Sequence, residues 1–231
     1  MNLMVRPSKT FLYDLLEKEL SLASGEIGLD AASANFKNRK MFKTKYYYGL
    51  DYDLELLKQG LAKYQDPNTF GIQADMANLK GVADGSIDIV VSTNTLYQLP
   101  PDRRSRALSE LIRICRPDGR FLCELILDPG FDTLLAIIKA HFSAIDVIYY
   151  RNPLSRIYEW IFERNGNLGS HPIAGMRLFR LLAWALSRIE YLTCNIRSLN
   201  RRAFIKASEK TEKHSSIFNL SAPPGTRIIT L

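Results

Sequence analysis

From residue 26 to residue 127 the sequence alternates short apolar runs with longer helical stretches, and few folds accept that rhythm. The runs are Glu26–Ala31, Tyr46–Leu50, Phe70–Ala74, Ile87–Ser92 and Arg120–Leu127. Each is short and apolar enough to be a strand buried on both faces. Asp53–Tyr64 and Pro101–Cys115 read as helices between them. This alternation predicts βαβ units, a parallel sheet and right-handed crossovers. In such sheets ligands bind beyond the carboxyl ends of the strands, where the strand order reverses.

The residues that end these runs are acidic or small and polar. Asp30 ends the first, Asp51 the second and Asp75 the third, while Ser92-Thr93-Asn94 follows the fourth. A nucleoside ligand needs acceptors for its ribose hydroxyls and its exocyclic amine, and carboxylates or amides on neighbouring strands supply them. Polar strand ends are also common simply because loops are solvated. An acid on each of three successive strands is the stronger signal.

The order of motifs resembles the class I S-adenosylmethionine-dependent methyltransferases. Tyr48-Gly49-Leu50-Asp51-Tyr52-Asp53 is similar to the family's second-strand motif, and the resemblance implies that Asp51 grips the cofactor ribose with Tyr52 beside it. Ala74-Asp75-Met76 resembles the third-strand motif, which gives Asp75 the adenine amino group and Met76 the ring. Asp84–Ser92 resembles the fourth-strand segment, with Asn94 just beyond it, and Arg113–Phe121 the turn into the fifth. Pro117-Asp118-Gly119 is also a plain turn signal.

The first motif departs from the family pattern of an acid followed by three alternating glycines. Here Asp30 is followed by Ala32, Ala34 and Phe36 at those positions. Glycine serves where φ must be positive or a side chain would block a ligand. Alanine is accommodated at the first two positions if φ stays negative, and Phe36 is expected to point into the core. The implied cofactor is S-adenosyl-L-methionine, held by Asp30, Ala32, Ala34, Asp51, Tyr52, Asp75, Met76 and Asn94. A dinucleotide enzyme would need a Gly-x-Gly-x-x-Gly turn, which is absent.

Methyl transfer from a sulfonium is an in-line displacement, so the protein chiefly aligns the reactants and excludes water. A general base helps when the acceptor is a hydroxyl. The family often has a His after the fourth strand; Gln98 stands there instead, with Tyr97 beside it as a residue to orient an acceptor. His171, in the loop 165–172, is the second catalytic candidate. Glu124 lies in an apolar run as a core or catalytic carboxylate, and His141 sits in a helical run as a structural residue. Cys115, Cys123 and Cys194 have no metal-ligand spacing, and no metal is expected. An odd, sparse set of cysteines and no signal-peptide run in residues 1–10 fit the cytoplasm.

Charge divides the chain unevenly. Residues 151–213 hold 12 Lys+Arg and 5 Asp+Glu, which accounts for the whole formal charge of +7 and leaves 19 of each sign elsewhere. A neutral body without a nucleic-acid motif excludes nucleic acid as the expected partner. Most of that segment is an insertion of roughly 50 residues between a sixth strand, Ala144–Tyr150, and a last antiparallel strand, Arg202–Ser208, which the resemblance places there. Asn152-Pro153 opens one helix of the insertion. Ile173–Leu192 forms a second, whose Arg177, Arg180 and Arg188 fall within a stripe of about 80°. That ridge suits a lid, a homodimer surface or a peripheral membrane contact through 151–192. It also suits an anionic or lipid-linked acceptor.

The expected architecture is an α/β, Rossmann-like methyltransferase sheet, mostly parallel with an antiparallel last strand and a helical insertion before it. It comprises an N-terminal helix in 1–24, a cofactor-binding core in 25–150, the insertion or lid in 151–200, and the last strand and tail in 201–231. The expected activity is methyl transfer to a small-molecule or glycan acceptor, O-methylation first. The competing expectation is a non-catalytic binding or scaffold protein on the same fold.

Overall fold

The computed structural model describes residues 4–23, 25–163 and 171–211, and the backbone of 227–229. Its strands are β1 (Ile27–Ala31), β2 (Tyr46–Asp51), β3 (Thr69–Gln73), β4 (Ile87–Ser92), β5 (Cys115–Ile126), β6 (Phe142–Tyr150), β7 (Arg202–Lys210) and β8 (Arg227–Ile229). The helices are α1 (Pro7–Leu22), α2 (Leu54–Tyr64), α3 (Pro101–Ile114), α4 (Phe131–His141), α5 (Pro153–Phe162) and α6 (Arg177–Thr193). The chain divides into two compact units, one of residues 1–18, 126–128 and 147–204, the other of 19–125, 129–146 and 205–231.

All eight strands join one sheet in the order β6-β7-β5-β4-β1-β2-β3-β8. β1 is paired in parallel with both β2 and β4, so the strand order reverses at β1, as the alternation of runs predicts. β7 is antiparallel to its neighbours. Arg201, at its start, bonds Leu127 and Tyr150 beyond β5 and at the end of β6, whereas Thr211, past its end, bonds His141 just before β6.

Every residue of β1 is buried, and β2 and β4 are nearly so. This is the pattern of strands covered on both faces, and it explains why their sequences read as continuous apolar runs rather than alternating ones. α2 begins where its sequence signals a cap: Asp53 accepts from Glu55 N at 2.9 Å and Leu56 N at 3.1 Å. Asn152 does the same for α5, its Oδ1 accepting from Ser155 N at 3.0 Å, with Pro153 in the first turn.

Two expectations are corrected. The Pro117-Asp118-Gly119 turn does not separate α3 from β5. The strand starts at Cys115 and the turn lies within it as a shift of register, because Ile87 pairs with Cys115 but Ile89 with Arg120. α6 starts at Arg177 instead of Ile173, since Ala174 N bonds His171 O and Met176 N bonds Ile173 O in a separate turn. The tail also contributes structure: Arg227–Ile229 pairs antiparallel with Gly71–Gln73 of β3.

Candidate active site

The carboxyl ends of β4, β1, β2 and β3 lie side by side, and most of the residues singled out from the sequence cluster there. Asp30 sits opposite Gly49 in β2 and Val91 in β4. It is fully buried, with its carboxylate accepting from Asn38 Nδ2 at 3.1 Å and from the Tyr47 hydroxyl at 2.9 Å. Burial dominates these bonds and pushes the Asp30 carboxyl up to about 7. The Tyr47 hydroxyl is pushed up as well, by burial and then by Asp30, so it stays a donor.

The loop after β1 carries the main finding. Ala32, Ala34 and Phe36 have φ of 56°, 49° and 58°, so all three family glycine positions keep left-handed backbone although none is glycine. The expectation that alanine fits by keeping φ negative is therefore overturned. The loop is held instead by bonds from β2: Ser33 N donates to Leu50 O at 3.0 Å and Ala34 N to Asp51 Oδ2 at 2.8 Å. A left-handed non-glycine residue costs on the order of 1–2 kcal/mol, and these contacts offset it.

Phe36 resolves its own bulk. Its ring is 0% exposed and packs edge-on against Tyr47 at 5.4 Å between centroids. A Cβ built at Gly49 would lie 2.2 Å from Phe36 Cε1, and one at Gly60 of α2 2.6 Å from its Cγ. The two glycines make the space for the ring between β2 and α2, away from the strand ends. A glycine inside α2, at roughly 1 kcal/mol less favourable than alanine, is the signal that could have revealed this contact in the sequence.

Asp51 is buried at the end of β2. Besides Ala34 N, it accepts from Asp53 N at 3.1 Å, which fixes the carboxylate while leaving each oxygen a further lone pair. Tyr52 beside it is 81% exposed. Asp75 lies two residues past β3; it accepts from Ala77 N at 3.0 Å and is paired with Arg103 of α3, a partner the sequence did not mark. Met76 next to it is buried.

Asn94 follows β4 with φ 58°. Its N–H donates to Glu124 at 2.6 Å and its carbonyl accepts from Gln98 Nε2 at 2.6 Å. The Glu124 carboxylate is thereby a brace for the β4 loop. Tyr97, in the same loop, is half-buried, and its carbonyl accepts from Arg104 at 2.7 Å. Ser92, opposite Ala31 at the reversal point, has a buried hydroxyl with no hydrogen-bond partner among the described residues.

His171 belongs to the other unit, where its Nδ1 accepts from Ile173 N at 3.3 Å and its ring packs on Phe162. His141 Nδ1 is bonded to Ile137 O within α4, as befits a structural residue. Burial pushes the Cys115 thiol up to about 12 and that of Cys123 upward too, so neither supplies a thiolate. No group of metal-binding residues occurs among the described residues.

The donor set fits a nucleoside cofactor. Asp51 offers oriented acceptors, Ser92 a buried hydroxyl in search of a partner, and the loop 32–36 the backbone shape for which glycine is ordinarily chosen. Residues 26–123 match a family model described as a methyltransferase domain. None of the curated proteins matches the sequence. Among solved structures, the chain is similar to the [4+2]-cyclase SpnF, with TM-score 0.56 and 15% identity over 86% of this chain and 80% of that one. It is also similar to the N-methyltransferase NodS from Bradyrhizobium japonicum WM9 in complex with S-adenosyl-L-homocysteine, with TM-score 0.54 and 12% identity over 64% and 81%. A complex of the Haloferax volcanii Trm112 methyltransferase activator with a putative methyltransferase aligns with TM-score 0.54 and 14% identity over 90% and 92%. S-adenosyl-L-methionine is the cofactor of this family. Residues 26–123 thus match a methyltransferase-domain model, and the chain has the fold of the class I S-adenosylmethionine-dependent methyltransferases.

Proposed function

We propose that the chain transfers a methyl group from S-adenosyl-L-methionine, held over the ends of β1–β4, to a small-molecule or glycan hydroxyl in the cytoplasm. The observation that carries this reading is the left-handed backbone at 32, 34 and 36, maintained against the preference of alanine and phenylalanine.

In this reading the Asp51 carboxylate accepts the ribose hydroxyls, and Asp75, steadied by Arg103, accepts from the adenine amino group. Met76 packs on the adenine ring, Tyr52 flanks the ribose, and Asn94, braced by Glu124, closes the β4 side. Asp30 acts through Asn38 and Tyr47, holding β1 and the loop in register. The cofactor supplies an electrophilic methyl group. Tyr97 orients the acceptor. An anionic or lipid-linked acceptor accords with the basic segment 151–213.

Isothermal titration with S-adenosyl-L-homocysteine tests the reading. Binding is expected, weakened about tenfold or more by Asp51→Asn, which exchanges two acceptor oxygens for one. No binding at millimolar ligand would refute it. A second reading, a binding protein or a different catalyst on the same fold, is favoured by Gln98, whose amide is tied to Asn94 O at the family's His position, and by the similarity to a protein named as a cyclase. Cofactor binding without methyl transfer to any screened hydroxyl acceptor would favour it.

A further inference from the structure

α5 and α6 are inverted amphipathic helices. α5 buries Ser155 and Glu159 beside Tyr158 and Phe162, and turns Leu154, Ile157, Trp160 and Ile161 outward. α6 buries Ala183, Ser187 and Glu190 and exposes Leu178, Leu181, Leu182 and Leu192. Trp160 is 79% exposed, Leu178 69% and Leu192 80%. Side chains of that size stand outward on a helix when something apolar meets them. The helices form one pair, with the Tyr158 hydroxyl donating to Phe179 O at 2.9 Å and Phe162 packed on Phe179.

The charges of this pair are sorted with equal sharpness. Glu159 is turned inward, taking bonds from Ser8 and, at 2.9 Å, from Arg151. Glu190 is fully buried, accepting from Arg151 N at 3.0 Å, Asn152 N at 3.2 Å and the Ser155 hydroxyl. Arg177, one turn before Leu181, and Arg180, further round the helix, are both exposed. The three-arginine ridge expected from helical spacing is reduced to these two, because Arg188 bridges to Asp14 and covers the rings of Trp184 and Tyr191. Glu159 and Glu190 face in and Arg177 and Arg180 face out, and although Glu163 is exposed at the end of α5 the outward charge of the pair is net positive.

We infer that the outward faces of α5 and α6 dock on an anionic lipid surface. Apolar side chains entering the interface with arginines reaching the headgroups is the chemistry of an in-plane membrane contact, and tryptophan is the residue suited to that boundary. A second copy of the chain is the poorer occupant: a two-fold contact sets each patch against itself and brings arginine to arginine. No helix among the described residues is long and apolar enough to cross a membrane, and the contact is peripheral. The inference stands on this unit alone, independently of methyl transfer.

The chain's two tryptophans, Trp160 and Trp184, both lie in this helix pair and serve as built-in reporters. The full chain is mixed with vesicles of phosphatidylcholine containing 30 mol% phosphatidylglycerol, roughly the anionic share that gives a physiological surface potential. Co-sedimentation and a blue shift of tryptophan emission are expected, with association falling about tenfold or more in Arg177→Gln/Arg180→Gln and in Leu178→Ser/Leu192→Ser. These side chains are exposed, so the variants should fold, which circular dichroism checks. Absence of binding, equal binding to pure phosphatidylcholine, or variants that bind like the wild type would overturn the inference. So would a dimer, seen by ultracentrifugation, whose emission is already blue-shifted and unmoved by vesicles. Titration with S-adenosyl-L-homocysteine on the same samples reports separately on the methyl-transfer site.

Discussion

The ring of Phe36 occupies the volume that a side chain at Gly49 would need, with 2.2 Å between the ring and the place of the missing Cβ. One residue sits at a position where the family resemblance calls for glycine, and the other is a glycine in mid-strand. Gly49→Ala is expected to destabilise the protein by about 1–3 kcal/mol through overpacking, and Phe36→Ala by about 3–5 kcal/mol through the cavity it leaves. In denaturant titrations the double variant should lose less than the sum of the two.

Relief of the loop is a separate matter. With φ of 56° and 49°, Ala32→Gly and Ala34→Gly remove left-handed strain but enlarge the unfolded ensemble. Each should therefore raise stability by no more than about 1 kcal/mol. If the loop shape serves the cofactor, affinity for S-adenosyl-L-homocysteine should hold or improve in both, as read by titration calorimetry.

Asp30 gives the protein a pH dependence of defined sign. Its carboxyl titrates near 3.8 when unfolded and about 7 when folded, so the folded state holds the extra proton between those values. The contribution of Asp30 to stability is then greatest below about pH 4, declines as pH rises toward 7 and levels off above it, a fall of about 4 kcal/mol at most. Asp30→Asn should flatten this decline in thermal melts taken from pH 4 to 8.

Glu190 is a different kind of carboxylate. It satisfies two backbone N–H groups and a hydroxyl at the start of α5, and removing it leaves them buried without partners. Glu190→Ala is expected to lower stability by about 2–4 kcal/mol in urea unfolding. Glu190→Gln, which keeps one acceptor, should lose about half of that.

The sheet was legible because both faces of β1, β2 and β4 are covered, and burial on both faces writes itself as an apolar run. Asp51 and Asp75 were legible for the same reason, since each follows such a run directly. The partners of the site were not: Asn38, Tyr47 and Arg103 reach Asp30 and Asp75 from elsewhere in the chain, and no spacing rule links them. The sign of φ after β1 was misread because alanine's own preference was followed, whereas bonds from Leu50 and Asp51 dictate the backbone there. In α5 and α6 the hydrophobic period was plain, but which side faced inward was not; Glu159 and Glu190 take the buried side by bonding to backbone and hydroxyl groups.

The short strand β8 has a consequence for the behaviour of the chain in concentrated solution. By pairing with Gly71, Ile72 and Gln73 it covers the outer rim of β3, which would otherwise present a row of open backbone donors and acceptors to any passing strand. Residues 227–229 thus act as a guard against edge-to-edge self-association, and a chain cut after residue 211 should be more prone to aggregate than to unfold.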